Sequence, residues 1–193
     1  MNRALRALWA GEPVVLPTDT VYGLCSLPTE EAVARLRALK GTPAEQPIAL
    51  LCADIESLLR LAPWLRGRPE LDLFPGAYTL ILPNPARAFP WLTGSRPDTI
   101  GVRVPELRGE ALAAIVEVGG VAATSANVHG GDDPRRPEDI PEQVRAGSGG
   151  VLDGGELPGT PSTVIDFTGE EPRVLREGAA PSGDAIRRIR PGH

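Results

Sequence analysis

Residues 14–24 read "VVLPTDTVYGL". Val14-Val15-Leu16 has the character of a buried strand. Pro17-Thr18-Asp19-Thr20 then interrupts it with small polar side chains, and the chain turns apolar again at Val21 and Leu24. Two physical explanations fit. Thr and Asp side chains hydrogen-bond their own backbone and build turns. Equally, small polar groups at the carboxyl end of a strand can hydrogen-bond a ligand without filling the cleft that holds it. The pattern recurs in "VRVP" (102–105) and "VAATSAN" (121–127); turn chemistry is the leading reading of any one segment, and three together strengthen a ligand-facing rim at the carboxyl ends of strands without settling between the two.

Outward from this stretch, strands and helices alternate. Leu5, Leu8 and Trp9 suggest a short helix that stops at Gly11. Thr29 is placed to cap a helix whose first turn carries Glu30 and Glu31, with Val33, Leu36 and Leu39 on one face and Gly41 at its end. "PIALLCA" (47–53) reads as a buried strand, and Asp54 as the cap of a helix that Pro63 disturbs. "FPGAYTLIL" (74–82) is a turn feeding a strand. In "TIGVRVP" (99–105) the alternation puts Arg103 on the face opposite Val102 and Val104. Residues 110–118 form a helix ended by Gly119-Gly120, and residues 130–139 a solvated loop. "STVIDFTGEEPRVLREG" (162–178) reads as a hairpin, and a last helix follows Pro181. The fold class is α/β: a single domain, residues 1–193, on a twisted mixed β-sheet flanked by helices.

The formal charge is −5 and 41% of residues are hydrophobic. The acidic balance argues against wholesale nucleic-acid binding. Cys25 and Cys52 form no C-x-x-C pair, so neither a disulfide framework nor a zinc site is indicated. No apolar run approaches the roughly 20 residues that span a membrane, and the charged N-terminus is helical rather than signal-like. A cytoplasmic protein without membrane association is expected.

No Walker loop, G-x-G-x-x-G, H-E-x-x-H or nucleophile–His–Asp set is present, and "HGG" (129–131) lacks a companion G-x-S-x-G. Lys40 stands out, because the other basic residues among the 20 are all Arg. At a helix end it favours the dipole. A compact ammonium also meets phosphate as a point charge, a task in which Lys and Arg differ. Arg103 and Arg176 lie in strand-like segments. The residues by themselves lead to a small α/β protein that binds an anionic ligand, and not to a reaction.

Eight motifs then fall in one order: "PTDTVYGL" (17–24), "LKG" (39–41), "PGAYTLIL" (75–82), "GVRVP" (101–105), "TSAN" (124–127), "DGG" (153–155), "PSTVID" (161–166) and "LREG" (175–178). In this the chain resembles the Sua5/YrdC/YwlC family, in its short single-domain form, from about residue 4 to residue 190. The resemblance implies a YrdC-like fold with a concave, positively lined cleft. It implies threonylcarbamoyl-AMP synthase activity, a nucleotidyl transfer from L-threonine, bicarbonate or CO2, and ATP, with Mg²⁺ carried by the ATP and no metal site of the protein's own. The product adenylate would feed a tRNA threonylcarbamoyl-transfer machinery that builds the N6-threonylcarbamoyl group on adenosine 37 of ANN-decoding tRNAs.

By the same resemblance Thr18, Thr20 and Tyr22 would line the threonine pocket, and Lys40 and Arg103 would face phosphates. Ser125 and Asn127, with Ser162 and Arg176, would hold the nucleotide and reacting groups, and Thr124 would contact substrate. Thr42 stands where the family pattern has Arg, Gln46 near an expected basic residue, and His129 in place of Ser. These departures favour one alternative, a divergent paralogue with altered carbamoyl or acyl-adenylate chemistry, as in the related domain of the hydrogenase-maturation carbamoyltransferase; the double-stranded RNA binding described for family members implies another, a non-catalytic module binding double-stranded RNA or tRNA. Arg187, Arg188 and Arg190 offer a small basic tail for the latter, though a solvated helix face explains them as well.

Overall fold

The computed structural model describes residues 3–189, so Arg190 and His193 lie outside the described residues. Helix α1 (Arg3–Trp9) buries Ala4, Ala7 and Leu8. Strands β1 (Val14–Pro17) and β2 (Tyr22–Ser26) pair antiparallel, with Pro17 opposite Tyr22. The stretch 14–24 is therefore a hairpin. Only its first strand is legible as one in sequence, because Gly23 interrupts the second.

Thr29 caps α2 (Glu30–Lys40) by accepting the Ala32 N–H, and Gly41 closes it at φ 72° with its N–H on the Arg37 carbonyl at 2.8 Å. Ala32, Val33 and Leu36 form the buried face of α2. Strand β3 (Ala49–Leu51) leads to α3 (Ile55–Leu61), whose cap Asp54 accepts the Ser57 N–H at 2.6 Å. Next come β4 (Tyr78–Pro83), α4 (Pro90–Thr93), β5 (Thr99–Arg103), α5 (Gly109–Val118) and β6 (Val121–Ser125). After α6 (Glu142–Gly147) the predicted hairpin forms from β7 (Thr163–Asp166) and β8 (Arg173–Arg176), and α7 (Ser182–Ile189) follows.

The strands form one sheet in the order β1-β2-β6-β3-β5-β4-β7-β8. The pairs β3/β5 and β4/β7 are parallel and the rest antiparallel. This is the expected mixed sheet. Because β6 is antiparallel to β3 while β5 is parallel to it, β5 runs opposite to β1 and β6. The three polar strand ends therefore do not share one edge. What they share is a face.

On one face Leu24, Leu50, Leu80, Val102, Ala122 and Ile165 build the larger core against Val33 and Leu36 of α2 and Leu58 of α3. On the other, toward β1, Leu16, Cys25, Leu51 and Val121 pack against Leu8 of α1 and Ala111, Ala114 and Ile115 of α5. Each fully buried Leu is worth about 1.5–3 kcal/mol in area removed from water, so both helix layers are held firmly. The two helices cover only one end of this second face. No helix among the described residues is long and apolar enough to cross a membrane.

Candidate functional site

The uncovered part of that face is a cleft of about 400 Å³, within the roughly 300–1,000 Å³ usual for small-molecule sites. Its floor follows from strand periodicity. Gly23, Ala49, Gly101 and Ala123 line it, while their chain neighbours Leu24, Leu50, Val102 and Ala122 point into the core. Small residues at period two on adjacent strands leave the face concave. Thr79 and Ile81 of β4 and Val164 of β7 extend it, and Arg176 of β8 closes the far end.

Of the residues singled out in the sequence, Thr18, Arg103, Thr124, Ser125, Ser162 and Arg176 line this one cleft, whereas Thr20, Tyr22, Lys40 and Asn127 sit behind it, buried. Thr18 carries both roles left open for the opening stretch. Its Oγ1 donates to the Val21 carbonyl at 2.7 Å and accepts from the Thr20 and Val21 N–H groups at 3.2 and 3.3 Å, so it builds the hairpin turn. The same residue forms part of the cleft wall.

Arg103 lies on the cleft face of β5, as the alternation predicts. Its Nη2 pairs with Asp19 and donates to Thr20 Oγ1 at 2.7 Å, fixing the guanidinium against the turn. Asp19 is further anchored by the Glu106 N–H at 3.2 Å. Arg103 Nε is buried with no hydrogen-bond partner, a donor left unmatched at a cost of about 1–3 kcal/mol.

Lys40, 6% exposed, points from the end of α2 into acceptors of the "TSAN" segment. Nζ donates to the carbonyls of Ser125 at 2.6 Å and Asn127 at 3.2 Å, and to Asn127 Oδ1. Ser125 Oγ in turn donates to Asn127 Oδ1 at 2.8 Å. Burial pushes the Lys40 ammonium down to about 8, against the opposing pull of Asp133. In this arrangement Lys40 fixes the backbone that presents Ser125 to the cleft.

Tyr22 is likewise a scaffold for a loop. Its hydroxyl accepts the Gly154 N–H at 2.9 Å and donates to the Gly155 carbonyl at 2.8 Å, tying down the "DGG" segment. Burial raises its pKa above the usual 10. At the other end Arg176 Nε and Nη2 donate to Ser162 O and Oγ at 3.0 and 3.2 Å, and Ser162 Oγ shares a 2.7 Å hydrogen bond with Thr79 Oγ1.

Two charged residues of the cleft were not anticipated. Arg96, held by Asp166 and Thr168 at 2.7 and 2.9 Å, lines it near Gln46. Asp133 is its one carboxylate among the described residues. Both lie in irregular segments, where no periodicity assigns a face. Arg187 and Arg188, by contrast, are occupied by Asp184 and by the Asp72 carbonyl.

A concave floor, guanidinium groups and a rim of hydroxyls suit an anionic small molecule with polar substituents. The chain is similar to several known proteins. The Sua5/YciO/YrdC family model, whose description reads "Telomere recombination", matches residues 6–178. A threonylcarbamoyl-AMP synthase of Pyrococcus abyssi is 35% identical over 178 residues, which cover 89% of this chain and 52% of that protein. P. abyssi Sua5 complexed with L-threonine superposes with a TM-score of 0.79 at 33% identity, covering 96% of this chain and 56% of the other. E. coli YciO superposes with a TM-score of 0.78 at 27% identity, covering 95% and 90%. The chain thus spans about half the length of the P. abyssi relative and most of YciO. It belongs to the Sua5/YciO/YrdC family.

Proposed function

We propose that this chain, acting in the cytoplasm as one unit across residues 1–193, is a threonylcarbamoyl-AMP synthase. The observation that carries the reading is the convergence of Thr18, Arg103, Ser125, Ser162 and Arg176, from segments far apart in sequence, on one cleft across the sheet. The name of the P. abyssi relative and the threonine bound to its structure support it.

In this reading the threonine amine attacks CO2 and loses a proton, giving a carbamate. A carbamate oxygen then attacks the α-phosphorus of ATP. The bond from that phosphorus to the bridging oxygen breaks, and pyrophosphate leaves. No covalent enzyme intermediate is needed. Charge accumulates on phosphate oxygens, so positioning and fixed donors supply the catalysis. Arg103 and Arg176 are those donors. Ser125 and Ser162 orient polar groups, and Thr18, beside Thr124, shapes the amino-acid end. Mg²⁺ would enter with the ATP, held by hard phosphate oxygens. The adenylate would pass to a tRNA threonylcarbamoyl-transfer machinery.

The test is pyrophosphate release from ATP by purified protein, with threonine and bicarbonate each present or omitted. Release that needs both is expected. Release that ignores either, or none from folded protein, contradicts the reading.

A second reading has its own support. Thr42, where the family pattern has Arg, is buried with Oγ1 unpartnered, and Gln46 borders the cleft in place of a basic residue. A lost charged hydrogen bond costs about 1.5–3 kcal/mol. The chain also matches YciO over nearly the whole length of both. A paralogue acting on another carbamoyl or acyl adenylate would bind ATP, seen as protection against unfolding, yet release no pyrophosphate with threonine. Direct RNA binding gains no support from Arg187 and Arg188, which are engaged by Asp184 and by the Asp72 carbonyl.

A further inference from the structure

Three charged groups line the cleft near one another: Arg176, the carboxylate of Asp133 and Arg103, the last two both acting on the Arg176 charge. Asp133 is close enough to favour the charged forms of both Lys40 and Arg176. It stands in the loop after β6, and that loop is tied down on both sides of it. Asn127 Nδ2 donates to the Gly131 carbonyl and lies 3.4 Å from Asp133 Oδ1. The Tyr22 N–H donates to the Pro134 carbonyl at 2.9 Å. The carboxylate is thus half-buried and held in place, while its neighbour Asp132 is exposed.

Adenosine offers this carboxylate only neutral donors, whereas the threonine ammonium carries a full positive charge. ATP is an anion and would be repelled by a negative group set among its binding arginines. A wall that carries cations for one substrate and a single anion suits a second substrate with a positive group. We propose that Asp133 is the anchor for the ammonium group of the amino-acid substrate, which it orients so that, once a proton has passed to solvent, the nitrogen lone pair can attack CO2. This rests on the synthase reading and adds to it a residue that selects amino acids over their deaminated counterparts.

The experiment is calorimetric titration, with a non-hydrolysable ATP analogue saturating, of L-threonine and of 2,3-dihydroxybutanoate, in which a hydroxyl replaces the amine. Loss of a charged hydrogen bond weakens binding about 10- to 100-fold. Asp133→Asn is expected to weaken threonine by that factor and to lose the preference for threonine over the hydroxy acid. Affinity for the ATP analogue should not fall, because a repulsive charge has been removed. Asp133→Glu should recover part of the preference, and Asp132→Asn should behave as wild type. A folded Asp133→Asn protein that keeps both affinity and preference overturns the anchor while leaving the synthase reading intact. A wild-type protein that binds the ATP analogue but never threonine overturns both.

Discussion

The ammonium of Lys40 is enclosed by oxygen atoms from a segment 85 residues further along the chain. It holds the carbonyls of Ser125 and Asn127, and so fixes a segment whose Ser125 lines the cleft. Lys40→Met would leave those acceptors short of a donor, at a cost of about 1–3 kcal/mol. Its pH dependence is more specific. The folded residue gives up its proton near pH 8, an unfolded lysine near 10.5. Between those values the unfolded chain binds more protons, so the contribution of Lys40 to unfolding free energy rises with pH. Denaturant melts on either side of pH 8 should show the wild type gaining on Lys40→Met as pH increases. A gap that stays flat or narrows would mean that burial does not lower the Lys40 pKa in the folded protein. The sequence makes Lys40 conspicuous, as the one lysine. Its carbonyl partners were not legible, because main-chain carbonyls carry no sequence signal.

At the scale of elements, the cleft is a property of strand alternation. Arg103 could be assigned to its face from "TIGVRVP" alone, because Ile100 and Val102 alternate cleanly with Gly101 and Arg103. The partner strand β2 could not be read in the same way with Gly23 at its centre, and relative strand direction is not written in any single strand. Hence the polar strand ends, legible as turns or as a ligand-facing rim, could not be placed relative to one another, and β5 runs against β1 and β6. Asp133 and Arg96 belong to loops whose placement depends on contacts across the fold. The floor yields a direct test. A Cβ at Gly101 would meet nothing closer than Ala49 Cα at 3.8 Å, so the backbone accepts a side chain there. Gly101→Leu should leave the melting temperature within a few degrees, since glycine weakens a strand interior. It should reduce turnover by about a hundredfold or more by filling the cleft, roughly 2.7 kcal/mol in barrier terms. Near-normal activity in that folded variant would place the ligand elsewhere.

At the scale of the whole molecule, an acidic chain concentrates cations where it needs them. The formal charge is −5, yet the cleft carries Arg96, Arg103 and Arg176 around one carboxylate. The sheet brings these groups together from β5, from β8 and from loops, while α1, α5 and the larger core hold the floor rigid. In the proposed function such a site would take an anion and a zwitterion side by side, and the adenylate of a carbamoylated amino acid joins just such a pair. The most direct measurement is the mass of the product formed from ATP, L-threonine and carbon-13 bicarbonate. Threonylcarbamoyl-AMP bearing the label, formed together with pyrophosphate, is the predicted result. Folded protein that binds ATP and yields no labelled adenylate would contradict the account.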